Sequence, residues 1–210
     1  MKILVILSLI ILVSCSPTEV PVEKLVERGG ITYLINSQTP FSGRSVSYYE
    51  NGQLEKKVNY KDGKEDGLVE MYYENGQLKL KTNYKDGEPD GLSETFYQNG
   101  QLEYKGYYKE GKVDGQWESY TRSGALRYKG NTKNGEREGL YRYYHSNGQI
   151  LSEIIYRKGS MEGQYFRYYK DGNIKTKGNY EDGKKNGLWE YYDENGRLTK
   201  RENYKDGKLL

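Results

Sequence analysis

A glycine that returns every 24 residues leaves this chain few ways to fold. Gly43, Gly67, Gly91, Gly115, Gly139, Gly163 and Gly187 open seven units of equal length, and the seventh closes on Leu210. Two further glycine series keep the same phase, from Gly52 to Gly196 and from Gly63 to Gly207. A fixed period of this size marks an array in which each unit contacts mainly its neighbours. The chain is 34% hydrophobic and 30% charged, a balance that suits disorder, but its 24 tyrosines do not. Aromatic ladders holding a thin sheet reconcile the two.

One unit reads as a β-hairpin. In Gly67 to Asp90, residues 68–73 and 77–84 are strand-like, and Asn75-Gly76 between them is a hairpin signal. A two-residue turn at Asn75-Gly76 requires positive φ and places Glu70 opposite Lys81. Lys85-Asp86-Gly87 through Gly91 then leads into the next unit. The prediction is all-β: an elongated, single-layer antiparallel sheet of seven tandem hairpins. At about 4.8 Å per strand the array is roughly 65–70 Å long.

The same register pairs Glu94 with Lys105, Glu118 with Lys129, Glu190 with Arg201 and, with the charges exchanged, Arg142 with Glu153. Opposed charges across strands stabilise by roughly 0.2–1 kcal/mol each. Units one and six depart, with Val46 facing Lys57 and Phe166 facing Lys177. Trp117 falls opposite Gly130 and Tyr165 opposite Gly178, so that a ring covers each strand glycine. Each unit-opening glycine faces a tyrosine, except that Gly115 faces Thr132.

One face is therefore expected to carry Trp117, Tyr141, Tyr165 and Trp189, the Leu54-to-Leu198 row, and those tyrosines. This is read as the buried, concave face. The other carries the charge pairs and the row Tyr48, Tyr72, Phe96, Tyr120, Tyr144, Tyr168 and Tyr192.

Residues 1–14 read as a signal peptide: Lys2, the apolar run Ile3 to Val13, then small residues. The run is short of the about 20 residues that span a bilayer. Leu12-Val13-Ser14-Cys15 resembles the bacterial lipobox, which implies lipidation of Cys15, the only cysteine, and a membrane as partner. Residues 15–30 are expected to be the lipidated cysteine and a tether, 31–42 an N-terminal cap, and 43–210 the repeats. Ser16 after the cysteine favours a lipid anchor in the cell envelope, at the outer membrane if the cell has two.

The run G-L-x-E-x-Y-Y-E-N-G-Q-L, followed by Y-K-D-G-K-x-D-G, resembles the MORN repeat in its bacterial variant form and covers all seven units. The resemblance implies an elongated hairpin sheet with no catalytic residues. Relatives often carry an antitoxin-type label, and eukaryotic arrays are associated with membrane and protein contacts.

The residue inventory points away from catalysis. His145 is the only histidine and Cys15 the only cysteine, so familiar His-based zinc sites and Cys-His nucleophiles are absent. Turn chemistry accounts for Asp62, Asp86, Asp182 and Asp206, whose counterparts Glu110, Asn134 and Lys158 break any calcium-ligand series. No enzyme, metal or cofactor is expected, and a formal net charge of +3 offers no nucleic-acid footprint. The leading expectation is a non-catalytic protein-binding or scaffold module, with Trp117, Tyr141, Tyr165 and Trp189 as candidate contacts. The alternatives are a cell-wall glycan or peptidoglycan-binding module, whose rings stack on sugars, or an antitoxin or immunity-type partner of a toxin.

Overall fold

The structure, a computed structural model, describes residues 19–210. The apolar run and Cys15 lie outside the described residues. Fourteen strands, from Gly43–Tyr48 to Leu198–Lys205, follow one another in a continuous antiparallel meander. Glu19–Pro21 and Lys208–Leu209 extend it at its two ends to a 16-stranded sheet. Among the described residues no helix is long and apolar enough to cross a membrane.

The predicted charge-pair register holds. Glu70 faces Lys81, Glu94 faces Lys105, Glu118 faces Lys129, Arg142 faces Glu153 and Glu190 faces Arg201. The turn that creates it differs from the expected one. Tyr73 N–H donates to the Gln77 carbonyl and Gly76 N–H to the Tyr73 carbonyl, each at 2.8 Å. Gly76 has φ +79°, while Asn75 is absent from the positive-φ residues. This is a three-residue loop ending in a left-handed glycine, the next commonest hairpin connection after the two-residue turns. A bulge between Met71 and Tyr72 absorbs the odd residue and restores the register. Asn75 is needed for its side chain. Its Oδ1 accepts from Gln77 N–H at 3.1 Å and its Nδ2 donates to the Gln98 carbonyl of the next unit at 3.0 Å.

The two-residue turn with positive φ at both centres lies at the opposite edge. Asp86 (φ +53°) and Gly87 (φ +91°) join Lys85 to its partner Glu88. Here the conformation, not metal chemistry, explains the recurrent Asp-Gly, and Glu110, Asn134 and Lys158 adopt it too.

The bulge also moves a row of side chains. Directly opposed residues share a face, and Tyr48 faces Leu54, Tyr72 faces Leu78 and Tyr192 faces Leu198. The Leu54-to-Leu198 row therefore joins the Tyr48 row, not the Trp117 face where alternation alone puts it.

The N-terminal segment also departs from expectation. From Glu19 onward the stretch read as a tether is structured: Glu19–Pro21 pairs in parallel with Arg44–Val46. Within the expected cap, Ile31–Leu34 forms a separate hairpin with Leu25–Arg28. That hairpin docks on the edge of the sheet, where Thr32 N–H donates to the Gly63 carbonyl and Gly63 N–H to that of Phe41.

Candidate binding surface

The core of this sheet is a line, because among the described residues no second layer covers a face. One cross-strand row runs the length of the array on the Trp117 face. Its first half is small: Val58 and Val69 are 1% exposed, and the Thr82 and Ser93 hydroxyls meet at 2.7 Å in a buried pair. Its second half alternates rings with glycines. A Cβ built on Gly106, Gly130 or Gly178 would overlap the ring of Trp117, Tyr141 or Trp189 respectively. The covering ring thus comes from the following unit. Trp117 lies over Gly106 rather than its partner Gly130, and Gly178 is covered by Trp189 rather than Tyr165. Ile154 takes the glycine position opposite Tyr165, whose ring stacks instead towards Trp189 at 5.5 Å.

This geometry divides the four candidate contact residues. Tyr141 and Trp189 are each 2% exposed. A ring so covered offers no face to a partner protein or a sugar, so both belong to the fold. Trp117 and Tyr165 are half-buried and remain accessible. The Trp117 face is the one that carries the buried line, as expected, though with the Leu row removed from it.

Around the line stands a flanking row of tyrosines, the partners of the unit-opening glycines. Their rings meet the central rings edge-on: Tyr156 with Tyr141 at 5.0 Å, Tyr180 with Tyr165 at 5.6 Å and with Trp189 at 5.1 Å. Arg137 donates to the Tyr156 hydroxyl at 3.1 Å and lies over the Tyr141 and Tyr156 rings. Burial, and then the neighbouring Tyr156, push the Tyr143 hydroxyl up to about 12 against the opposing pull of the Arg137 charge. The Tyr143 phenol stays a neutral donor at physiological pH.

On the opposite face the Tyr48-row hydroxyls feed the carboxylates of the charge pairs. Tyr120 donates to Glu118 at 2.7 Å, Tyr168 to Glu153 at 2.9 Å and Tyr192 to Glu190 at 3.0 Å. Glu190 also accepts Lys177 at 2.7 Å and Arg201 at 2.9 Å. Lys177, unpaired in its own unit, thus finds its carboxylate in the next. Hydrogen bonds from Lys177 and then Arg201 hold the Glu190 carboxyl down, from 4.5 to about 2. A depressed folded-state pKa stabilises above the unfolded value and is lost on acidification. Acid titration of stability is expected to fall between pH 4.5 and about 2. Glu190→Gln is expected to make that fall shallower, and an unchanged acid limb would refute the assignment.

Sequence reasoning missed a second surface on this face. Tyr107, Leu140, Ile155 and Leu188 are 44%, 40%, 38% and 52% exposed. Leu140 stands directly opposite Ile155, as Leu92 does opposite Tyr107. The signal was present as a recurrent leucine after the unit-opening glycine, at Leu68, Leu92, Leu140 and Leu188.

His145 sits where other units have Tyr49, Tyr73, Tyr97 and Tyr169. Those hydroxyls donate across the unit boundary, as Tyr73 does to the Phe96 carbonyl at 2.7 Å. His145 Nε2 reaches the corresponding Tyr168 carbonyl at 3.1 Å. The histidine keeps a tie between units.

A family model described as MORN repeat variant matches residues 42–62, 65–86, 89–110, 113–134, 137–158, 161–182 and 185–206. No curated protein matches the chain. Among solved structures, a chain from the crystal structure of TcdB2-TccC3-Cdc42 is similar over 86% of this chain, at 13% identity and a TM-score of 0.23. The likeness spans 12% of that chain.

Proposed function

Because the chain belongs to the MORN repeat variant family, we propose that it is a non-catalytic scaffold that binds another protein along its sheet. The observation that supports this most is the set of exposed apolar residues Tyr107, Leu140, Ile155 and Leu188 on one face, where Tyr107 and Ile155, like Leu140 and Leu188, stand two units apart. Aromatic and aliphatic groups that a single layer leaves in solvent suit a protein surface of matching shape. We place the chain in the cell envelope, held by lipid on Cys15, at the outer membrane if the cell has two. Several acyl chains on one residue anchor firmly, at about 0.8 kcal/mol per buried methylene.

Crosslinking in intact cells, followed by capture of the tagged full chain, tests the scaffold reading, and membrane fractionation tests the anchor. A discrete protein partner is expected with the wild type, and its yield is expected to fall about tenfold when Leu140 and Ile155 are both changed to lysine. Recovery of no partner would sink the scaffold reading. A Cys15→Ala chain that still fractionates with membranes would sink the anchor alone.

A further inference from the structure

The flanking tyrosine row has one gap. Thr132 stands where the other units carry Tyr60, Tyr84, Tyr108, Tyr156, Tyr180 and Tyr204. Tyr180 shows what the gap lacks, since its ring sits edge-on between Tyr165 and Trp189. The equivalent site at Thr132 lies between Trp117 and Tyr141. A concavity of about 190 Å³ opens there, bounded by Val113, Trp117, Tyr128, Thr132, Arg137 and Tyr141. Thr132 is buried, and its hydroxyl is engaged by the Tyr141 hydroxyl at 2.9 Å, so the floor is fixed. Arg137, directly opposite Thr132, stands at the rim where a cation can lie over a ring.

We propose that this gap receives one aromatic side chain, a tyrosine or phenylalanine, from the protein partner. It rests on the scaffold reading and gives that reading an anchor point. The occupant is fixed by the repeat itself: six units fill this place with a phenol, and the seventh leaves its flanking rings and cation in position without one. An incoming ring completes the same edge-on pair of contacts.

The probe is N-acetyl-L-tyrosinamide, added to the full chain labelled with 5-fluorotryptophan. The chain has two tryptophans, so fluorine NMR reports Trp117 and Trp189 separately. A saturable shift of the Trp117 resonance is expected, with the buried Trp189 unmoved. Thr132→Tyr, which fills the gap from within, is expected to weaken the probe about tenfold or more. An unmoved Trp117, equal shifts at both tryptophans, or a Thr132→Tyr chain that binds like the wild type would overturn the proposal. The wild-type comparison decides even if the variant folds poorly. Full partner capture by a folded Thr132→Tyr chain would also overturn it while leaving the scaffold reading intact; only a wild type without partners removes both.

Discussion

Gly130→Ala is expected to destabilise the array by about 1–3 kcal/mol, although alanine is ordinarily the better strand residue. The added methyl would lie 2.4 Å from Cδ1 and Cε1 of the Tyr141 ring, closer than non-bonded carbon atoms can approach. Tyr141 is pinned in turn by Tyr156 at 5.0 Å and by its hydroxyl on Thr132, so it cannot yield cheaply. Ile154 supplies the internal control. A branched side chain is accepted at the same row position because Tyr165 leans away from it towards Trp189. Denaturant unfolding of Gly130→Ala, Tyr141→Ala and the double variant forms the check. In the Tyr141→Ala background the alanine at 130 is expected to be neutral or favourable. Additive losses would show that ring overlap is not the cause.

Trp189→Ala is expected to cost more, about 3–5 kcal/mol. This ring is 2% exposed, covers Gly178, and touches Tyr165, Tyr180 and Tyr204. The Lys185 ammonium lies 4.2 Å from it, and its indole N–H donates to the Asn179 carbonyl at 3.2 Å. One substitution therefore loosens units six and seven together. Because each unit meets only its neighbours, the damage is expected to stay local. Amide hydrogen exchange is expected to accelerate from about residue 163 onward and to remain slow in 43–90. A loss below about 1 kcal/mol, or one spread evenly over all units, would contradict this account.

Much of the fold was legible because a register repeated seven times is over-determined. The exchanged pair Arg142–Glu153 was especially informative, since compensation at one unit has no explanation except contact. The turn was not legible, because Asn-Gly suits both a two-residue and a three-residue loop. Only the φ of Asn75 and the hydrogen bond from its side chain to Gln98 separate them. The Leu row went to the wrong face for the same reason, since one bulge reverses alternation. Ring direction was equally hidden: pairing puts Trp117 beside both Gly106 and Gly130, and only side-chain lean selects the first. That lean buries Tyr141 and Trp189, so residue type overstated them as contacts. The segment from Glu19 was misread because three residues of parallel pairing leave no periodic trace.

The stitching along the loop edge has one missing link. Tyrosine, histidine or asparagine side chains reach across most unit boundaries there, but Thr121 bonds its own loop through Ser123 and Ala125. Among the described residues, no side-chain hydrogen bond of that loop crosses from unit four to unit five. In a meander the ladder hydrogen bonds lie along the long axis, so tension between the two ends loads them in series. At the loop edge the ladder between units four and five bears that load without side-chain help, while Tyr141, set over Gly130 and bonded to Thr132, joins the same two units along the centre line. The molecule is thus a strip whose loop edge is left unstitched at one boundary while its centre line runs through unbroken.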